Sequence, residues 1–144
     1  MRTALAAAAA IAAAASCGTL WSEAGELLDI LQSQGYRIGG VTEVEVSYLQ
    51  PCTLFTSRSF LAESRGGFLI AMGGNHILDL ELELQGYGWT LRDTFPDDMP
   101  VIEVDSLQIA TSSLLVLLAR DMTHCALQDS VVVMWALLPV DPDR

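Results

Sequence analysis

The chain has 144 residues, with 18 acidic side chains, seven arginines and no lysine, and its formal net charge is −11. This length allows one domain of ordinary size. The acidic balance argues against nucleic acid and anionic membrane surfaces as partners, because both are recognised through clusters of Lys and Arg. Apolar residues make up 51% of the chain, which argues against a disordered protein.

The N-terminal segment, residues 1–17, predicts a secretory signal peptide. It contains ten alanines and a single charge, at Arg2, and its apolar stretch is about 12 residues long. A membrane-spanning helix needs about 20 apolar residues, so a transmembrane anchor is not expected. The alternative is an alanine-rich helix inside a cytosolic protein, since Ala is the strongest helix former.

The end of this segment resembles a bacterial lipobox, in which small residues precede the cysteine that receives the lipid. Residues 14–16 are Ala, Ala and Ser, and Cys17 follows, although Leu is usual three residues before the cysteine. Ordinary signal-peptidase cleavage, which yields a soluble secreted protein, is the alternative. We therefore predict a lipoprotein-type signal over 1–17, with lipidation at Cys17, and a single domain over 18–144.

The number of cysteines favours lipidation. Of the three cysteines, lipidation of Cys17 leaves Cys52 and Cys125 to form a disulfide in an oxidising compartment. Such a bridge closes a loop of about 74 residues, for which chain entropy predicts about 4 kcal/mol of stabilisation. Two buried free thiols are the alternative. No CxxC motif is present, so neither a thioredoxin-like redox site nor a zinc ribbon is indicated.

The first element predicted after the signal is an amphipathic helix that covers a sheet. Thr19 or Ser22 is suited to cap its start, and Gly35 is suited to end it. Apolar residues recur along it at helical spacing: Leu20, Ala24, Leu27, Leu28 and Leu31.

The centre of the chain predicts an antiparallel meander. Apolar and polar residues alternate over 42–48 and 78–85, which is typical of strands with one buried and one wet face. Glycine-containing turns separate the segments. Shorter apolar runs predict further strands: 53–61, 68–72, 89–92 and 101–104.

The last third of the chain predicts a loop, a helix and a buried strand. Asp93–Pro100 is predicted to be a loop. Residues 106–120 carry leucines at helical spacing, with Asp105 or Ser106 as a cap, although a strand is the alternative for 114–119 because that run is apolar on both faces. Residues 131–140 form a nearly continuous β-branched and aromatic run, which predicts a buried strand that is central in its sheet or covered on both faces.

These elements predict an α+β fold: an antiparallel β-meander sheet of about five or six strands with two helices packed on one side. The acidic residues at alternate strand positions predict a solvated sheet face that resists edge pairing.

A small-molecule pocket is one interpretation of the aromatic and ionisable residues in this sheet. His76 and Asp79 lie three positions apart, so in a strand they point to opposite faces and form no dyad by local geometry. The alternative role of the aromatic residues is to fill the core. The pocket candidates are Tyr48, His76, Asp79, Trp89 and Trp135.

The loop carboxylates of Asp93, Asp97 and Asp98 are the weak candidates for a calcium site, because Ca²⁺ prefers six to eight oxygen ligands. The EF-hand spacing is absent. We otherwise predict no metal, no cofactor and no catalytic residue, since the sequence contains no nucleophile, phosphate-binding or zinc-protease motif.

Two short segments resemble hotdog-fold enzymes. The segment 44–51 is similar to the start of hotdog thioesterases, and 95–100 is similar to a Phe-Pro segment in their dehydratase relatives. That resemblance implies a catalytic His before the Phe-Pro and an acid in the following helix. This chain has Thr94 at the first position and Ala110 or Thr111 at the second, so no residue is assigned from it.

Two function classes follow. The first is an exported, non-enzymatic protein of the bacterial periplasm, anchored to a membrane only through lipid at Cys17, that binds an envelope protein or a small ligand or supports an assembly. The second is a small enzyme with a sheet-lined acyl or small-molecule pocket, of the hotdog thioesterase or dehydratase class.

Overall fold

The structure is a computed structural model that describes residues 19–56 and 64–140. Within these ranges the chain forms two helices and eight strands. The helices are α1 (Leu20–Ser33) and α2 (Ser106–Thr111). The strands are β1 (Arg37–Ser47), β2 (Cys52–Phe55), β3 (Ser64–Gly73), β4 (Ile77–Gly86), β5 (Trp89–Asp93), β6 (Val101–Asp105), β7 (Ser112–Met122) and β8 (Gln128–Pro139).

The strands form two four-stranded antiparallel sheets that pack face to face. The first sheet has the order β1-β8-β3-β6 and the second has the order β2-β7-β4-β5. Eight strands in this order make a jelly roll, a sandwich built from two Greek keys. The antiparallel sheet and the two helices confirm the coarse α+β prediction.

The single meander of five or six strands is wrong. Among the described strands, only β4 and β5 are both consecutive in the chain and paired with each other, whereas β1 pairs with β8. Period-two alternation shows which face of a strand is buried, but it carries no information about the neighbouring strand.

Alternate side chains from both sheets fill the space between them and form the main core. The second sheet contributes Leu80, Leu82 and Leu84 of β4, which the alternating pattern predicts on the buried face, whereas Leu78 is exposed. The first sheet contributes Val131, Val133, Trp135 and Leu137 of β8. This interior is therefore the layer in which the two sheets contact each other.

Helix α1 covers the outer face of the first sheet and creates a second core. The Thr19 hydroxyl caps the helix by accepting a hydrogen bond from Ser22 N at 3.2 Å. Leu27 and Leu31 are buried against outward-facing side chains of β3 and β8 such as Phe68 and Met134. Because β8 is covered on both faces, the prediction of a doubly buried strand in this region is confirmed.

The second predicted helix is mostly a strand. Helix α2 ends at Thr111, and β7 begins at Ser112, so the strand alternative for 114–119 is correct. Asp105 caps α2 through a capping box with Gln108, and Ile109 joins the main core. Helix α2 therefore lies in the β6–β7 connection, and of the two described helices only α1 covers the outer face of the first sheet. Neither described helix has the length and apolarity needed to cross a bilayer.

Candidate functional site

A cavity of about 160 Å³ lies between the two sheets, where β1 and β8 face β2 and β7. Strand β1 bulges here, because its pairing with β8 shifts register between Gly39 and Thr42. Gly40 sits in the bulge with φ +58°, a left-handed conformation that glycine adopts without strain. The cavity is lined by Gly40, Thr42, Leu54, Phe55, Thr56, Leu115, Val133 and Trp135.

Trp135 is the one predicted pocket residue that lines this cavity. It is 4% exposed. A Cβ atom on Gly40 would lie 2.9 Å from Trp135 Cδ1 and 3.6 Å from Nε1, so this edge of the indole faces the bulge. The sequence does not identify the other lining residues. The alternation of a strand shows which side chains face the interior, but it does not show where the two sheets move apart and leave a cavity.

Trp89 lies at the start of β5, half-buried against the main core. Its Nε1 donates a hydrogen bond to Thr111 Oγ1 at 2.8 Å, and its ring lies directly over Gly86. Trp89 therefore packs the hairpin between β4 and β5 against α2 and does not line the cavity.

His76 lies in the β3–β4 turn, exposed to solvent. Its backbone N donates to Asp129 Oδ2 at 2.8 Å, and its Nδ1 is 3.0 Å from Thr123 Oγ1. These contacts tie the turn to the segment between β7 and β8. Tyr48 is also exposed, in the β1–β2 connection, where its backbone N donates to Leu127 O.

Asp79 lies on β4 and faces away from the interior. Its Oδ1 atom is buried and has no hydrogen-bond partner among the described residues. Burial raises the pKa of this carboxyl, the nearby charges of Glu81 and Asp121 raise it further, and Arg120 opposes them. The structure thus places the five predicted pocket residues in separate parts of the sandwich.

The outer face of the second sheet is uncovered by any described element and carries a row of apolar side chains. We call this surface the β7 face. Leu114, Val116 and Leu118 project from β7 and are half-buried, and Phe55 on the neighbouring edge strand is 86% exposed. The helical spacing of leucines predicts a helix through the first three of these residues, whereas the run of apolar residues on both faces predicts the strand that the structure shows.

Carboxylates of β4 flank this apolar row, and two of them form ion pairs. Arg120 Nε lies 3.0 Å from Glu81 Oε1, and Arg92 Nε contacts Glu83 Oε1. The Gln85 side-chain amide, followed by Arg92, holds the pKa of Glu83 below its ordinary value. A depression of about 260 Å³ lies between these pairs and the β7 row.

The aspartates suggested for calcium lie at the end of β5 and in the β5–β6 connection, and two of them accept backbone hydrogen bonds. Asp93 accepts from Phe95 N and Val101 N, and Asp97 accepts from Met99 N. Burial, followed by repulsion from Asp93 and other carboxylates, raises the pKa of Asp97 despite the bond from Met99. Among residues 19–56 and 64–140, no group of three or more His, Cys, Asp or Glu side chains is arranged to hold a metal ion.

Both described cysteines are free thiols. Cys52 on β2 packs against the main core, and Cys125 is exposed in the β7–β8 turn with φ +69°. The disulfide between them stays a prediction, and it would require Cys52 or Cys125 to move from its present position. Cys17 and the remainder of the signal segment lie outside the described residues.

Sequence comparisons with known proteins identify no family for this chain. No protein-family model matches it. No curated protein matches it either.

Several solved structures resemble the fold at very low sequence identity. The C-terminal domain of A223, a structural protein of Sulfolobus turreted icosahedral virus, is 10% identical, with a TM-score of 0.42 over 69% of this chain and 98% of that chain. The tomato aspermy virus structure is 9% identical, with a TM-score of 0.36 over 84% and 96%. CBM86, a low-affinity xylan-binding module from Roseburia intestinalis, is 8% identical, with a TM-score of 0.35 over 72% and 90%.

Proposed function

We propose that this protein is a non-enzymatic binding or assembly protein of the bacterial envelope, exported and anchored through lipid at Cys17. The observation that carries the binding role is the β7 face. The equivalent face of the first sheet is covered by α1, whereas Leu114, Val116 and Leu118 have no such cover among the described residues. Apolar patches rimmed by polar groups are typical of protein contact surfaces.

The charge pattern beside this row also favours a protein partner. The exposed ion pairs on β4 contribute little to the stability of the fold, with Arg92 and Arg120 side chains 67% and 53% exposed. These ion pairs provide hydrogen-bond donors and acceptors at the rim of the apolar row of β7. Rims of this kind set the register and specificity of an interface.

The β7 face is tested by quantitative cross-linking of the full chain in the cells that produce it. Val116→Glu places a charge in the centre of the row, and we expect it to lose one or more of the cross-linked protein neighbours of the wild type. Leu107→Glu is the matched control, because Leu107 is an exposed leucine on α2, outside the β7 face. An identical set of neighbours for wild type and Val116→Glu would contradict this role.

Export and anchoring are tested separately by the intact mass of the protein from the producing cells. A mature chain that begins with a lipid-modified Cys17 supports the proposal. A chain that begins at Met1 contradicts it. Sodium carbonate extraction then separates anchored from soluble material, and Cys17→Ser is expected to move the protein to the soluble fraction.

A further inference from the structure

We propose that the cavity between the sheets is a binding site for a small neutral molecule that has an apolar body and one hydrogen-bond acceptor. The site lies on the inner side of the second sheet, opposite the row of β7, and shares with the β7 face only Phe55 on the edge strand. Leu115 lines the cavity, whereas Leu114 and Val116 on either side of it project outward.

The size of the cavity determines the size of the ligand. Its volume is about 160 Å³. An engineered apolar cavity of about 150 Å³ in another protein holds benzene. The cavity therefore accepts a body of one six-membered ring, or an alkyl chain of similar volume.

The lining determines the polarity of the ligand. None of the eight lining residues carries an ionisable side chain. Moving a charge from water into such surroundings is unfavourable unless a partner compensates for it. The formal net charge of −11 acts further against an anion. A neutral ligand is therefore favoured.

Among the described lining residues, one side-chain hydrogen-bond donor is available to a ligand. Trp135 is buried, and its Nε1 makes no hydrogen bond to any other described residue, in contrast to Trp89, whose Nε1 bonds to Thr111. Nε1 is not one of the fully buried polar atoms that lack a partner, so it is open to solvent. The edge of the ring that carries Nε1 faces Gly40 at the cavity wall, where an acceptor on a bound ligand can replace solvent as its partner.

The threonines of the lining are already engaged as donors. Thr42 Oγ1 donates to Gly40 O at 3.2 Å, and Thr56 Oγ1 donates to Ser112 O at 3.1 Å. The Trp135 indole is therefore the side-chain donor left for the ligand. A carbonyl, ether or hydroxyl oxygen on an otherwise apolar molecule matches this arrangement.

The test uses three aliphatic rings of similar size: cyclohexanone, cyclohexane and cyclohexanecarboxylate. Each is titrated into the full chain and followed by the NMR signals of the indole N–H groups and of the Val133 and Leu115 methyl groups. Aliphatic rings produce no ring-current shifts of their own. We expect saturable shifts with cyclohexanone, including a downfield shift of the Trp135 N–H, and weaker binding of the carboxylate.

Trp135→Phe retains an aromatic ring and removes the donor. We expect it to weaken cyclohexanone binding about three- to tenfold, the usual contribution of one hydrogen bond, and to change cyclohexane binding less than twofold. Trp89→Phe is the matched control, because it removes an indole donor that already has a partner outside the cavity. It is expected to leave both affinities within a factor of two.

Thr42→Phe tests the location without disturbing the buried core, since Thr42 is exposed at the cavity edge. We expect it to abolish saturable binding of both neutral rings. The absence of saturable shifts in the wild type, or unchanged binding by Thr42→Phe, would overturn the site. Equal cyclohexanone affinity in wild type and Trp135→Phe would overturn the role of the indole. None of these results depends on the β7 face, so the two proposals fail separately.

Discussion

At the scale of single residues, two glycines are required because a neighbouring side chain fills the space in which a Cβ atom would lie. The carboxylate of Asp129 fills the space beside Gly74, where a Cβ atom would lie 2.5 Å from Asp129 Oδ2. The indole of Trp89 occupies the equivalent space beside Gly86. The sequence shows both glycines next to turns, but their partners come from other segments. Their role is therefore to permit close contact as well as to turn the chain.

Gly86→Ala is expected to destabilise the fold by about 1–3 kcal/mol, the usual cost of overpacking. A Cβ atom there would lie 2.1 Å from the Trp89 ring, so the ring must move and its bond to Thr111 is lost. Urea unfolding measures the change. Gly25→Ala is the control: nothing lies within 4 Å of its Cβ position in α1, so we expect a gain of about 0.5–1 kcal/mol from helix propensity. Equal effects of the two substitutions would contradict this account.

Asp97→Asn is expected to stabilise the protein at neutral pH by about 0.5 kcal/mol, within the range of surface substitutions. Burial and neighbouring carboxylates raise the pKa of Asp97 in the folded state above its ordinary value of 3.8. The folded state therefore binds the proton more tightly than the unfolded state, and wild-type stability falls as pH rises through the folded-state pKa. The Asn side chain retains an acceptor for Met99 N.

Thermal or urea unfolding at several pH values measures this effect. The stability difference between Asp97→Asn and wild type is expected to vanish near pH 3.5 and to grow toward neutral pH. Glu23, Asp79 and Asp98 also have raised pKa values, so part of the wild-type pH dependence remains in the variant. A difference that is constant with pH would contradict the assignment to Asp97.

At the scale of elements, local patterns identified the helix and the alternating strands but misassigned β7. Leu107 and Ala110 suggest a helix that continues past Thr111, because leucines at 114, 117 and 118 keep the helical spacing. In the structure this run becomes a central strand of the second sheet, between β2 and β4. Two contributions favour the strand: backbone pairing of β7 with strands on both sides, and burial of Leu115 and Leu117. Together they outweigh the helix propensity of the leucines, which is a weak preference.

Leu27→Ala tests how strongly α1 stabilises the first sheet. Leu27 is fully buried in the helix–sheet core, so we expect a loss of about 2–5 kcal/mol. Glu26→Ala, an exposed neighbour on the same helix, is expected to change stability by less than about 0.5 kcal/mol. Urea unfolding followed by far-UV circular dichroism measures both. A Leu27→Ala effect as small as that of Glu26→Ala would show that α1 is dispensable.

At the scale of the whole molecule, the jelly-roll topology pairs strands from opposite ends of the described chain. Strand β8 lies between β1 and β3, so the first sheet is incomplete until the C-terminal strand is in place. Pairing β1 with β8 closes a long loop of chain, and the entropy lost in closing it precedes the contacts that compensate for the loss. The same topology places the β7 face and the cavity on opposite sides of one sheet.

This topology predicts slow folding. All-β domains dominated by pairing between distant segments fold in about milliseconds to seconds, and we expect this range for the chain without its signal segment. Stopped-flow refolding from urea, followed by tryptophan fluorescence, measures the rate. Refolding in microseconds would contradict a pathway limited by the pairing of β1 with β8.

The sequence by itself determined the amphipathic α1, the alternating strands β1 and β4, and the doubly buried β8, because these follow from local periodicity. It also suggested Trp135 as a pocket candidate, which lines the cavity, together with four candidates that lie elsewhere. Only the tertiary structure decided that the strands form two sheets, that residues 112–122 are a strand, and that the indole of Trp135 meets the Gly40 bulge. Strand partners and cavities depend on contacts between residues far apart in the chain, and side-chain periodicity does not encode those contacts.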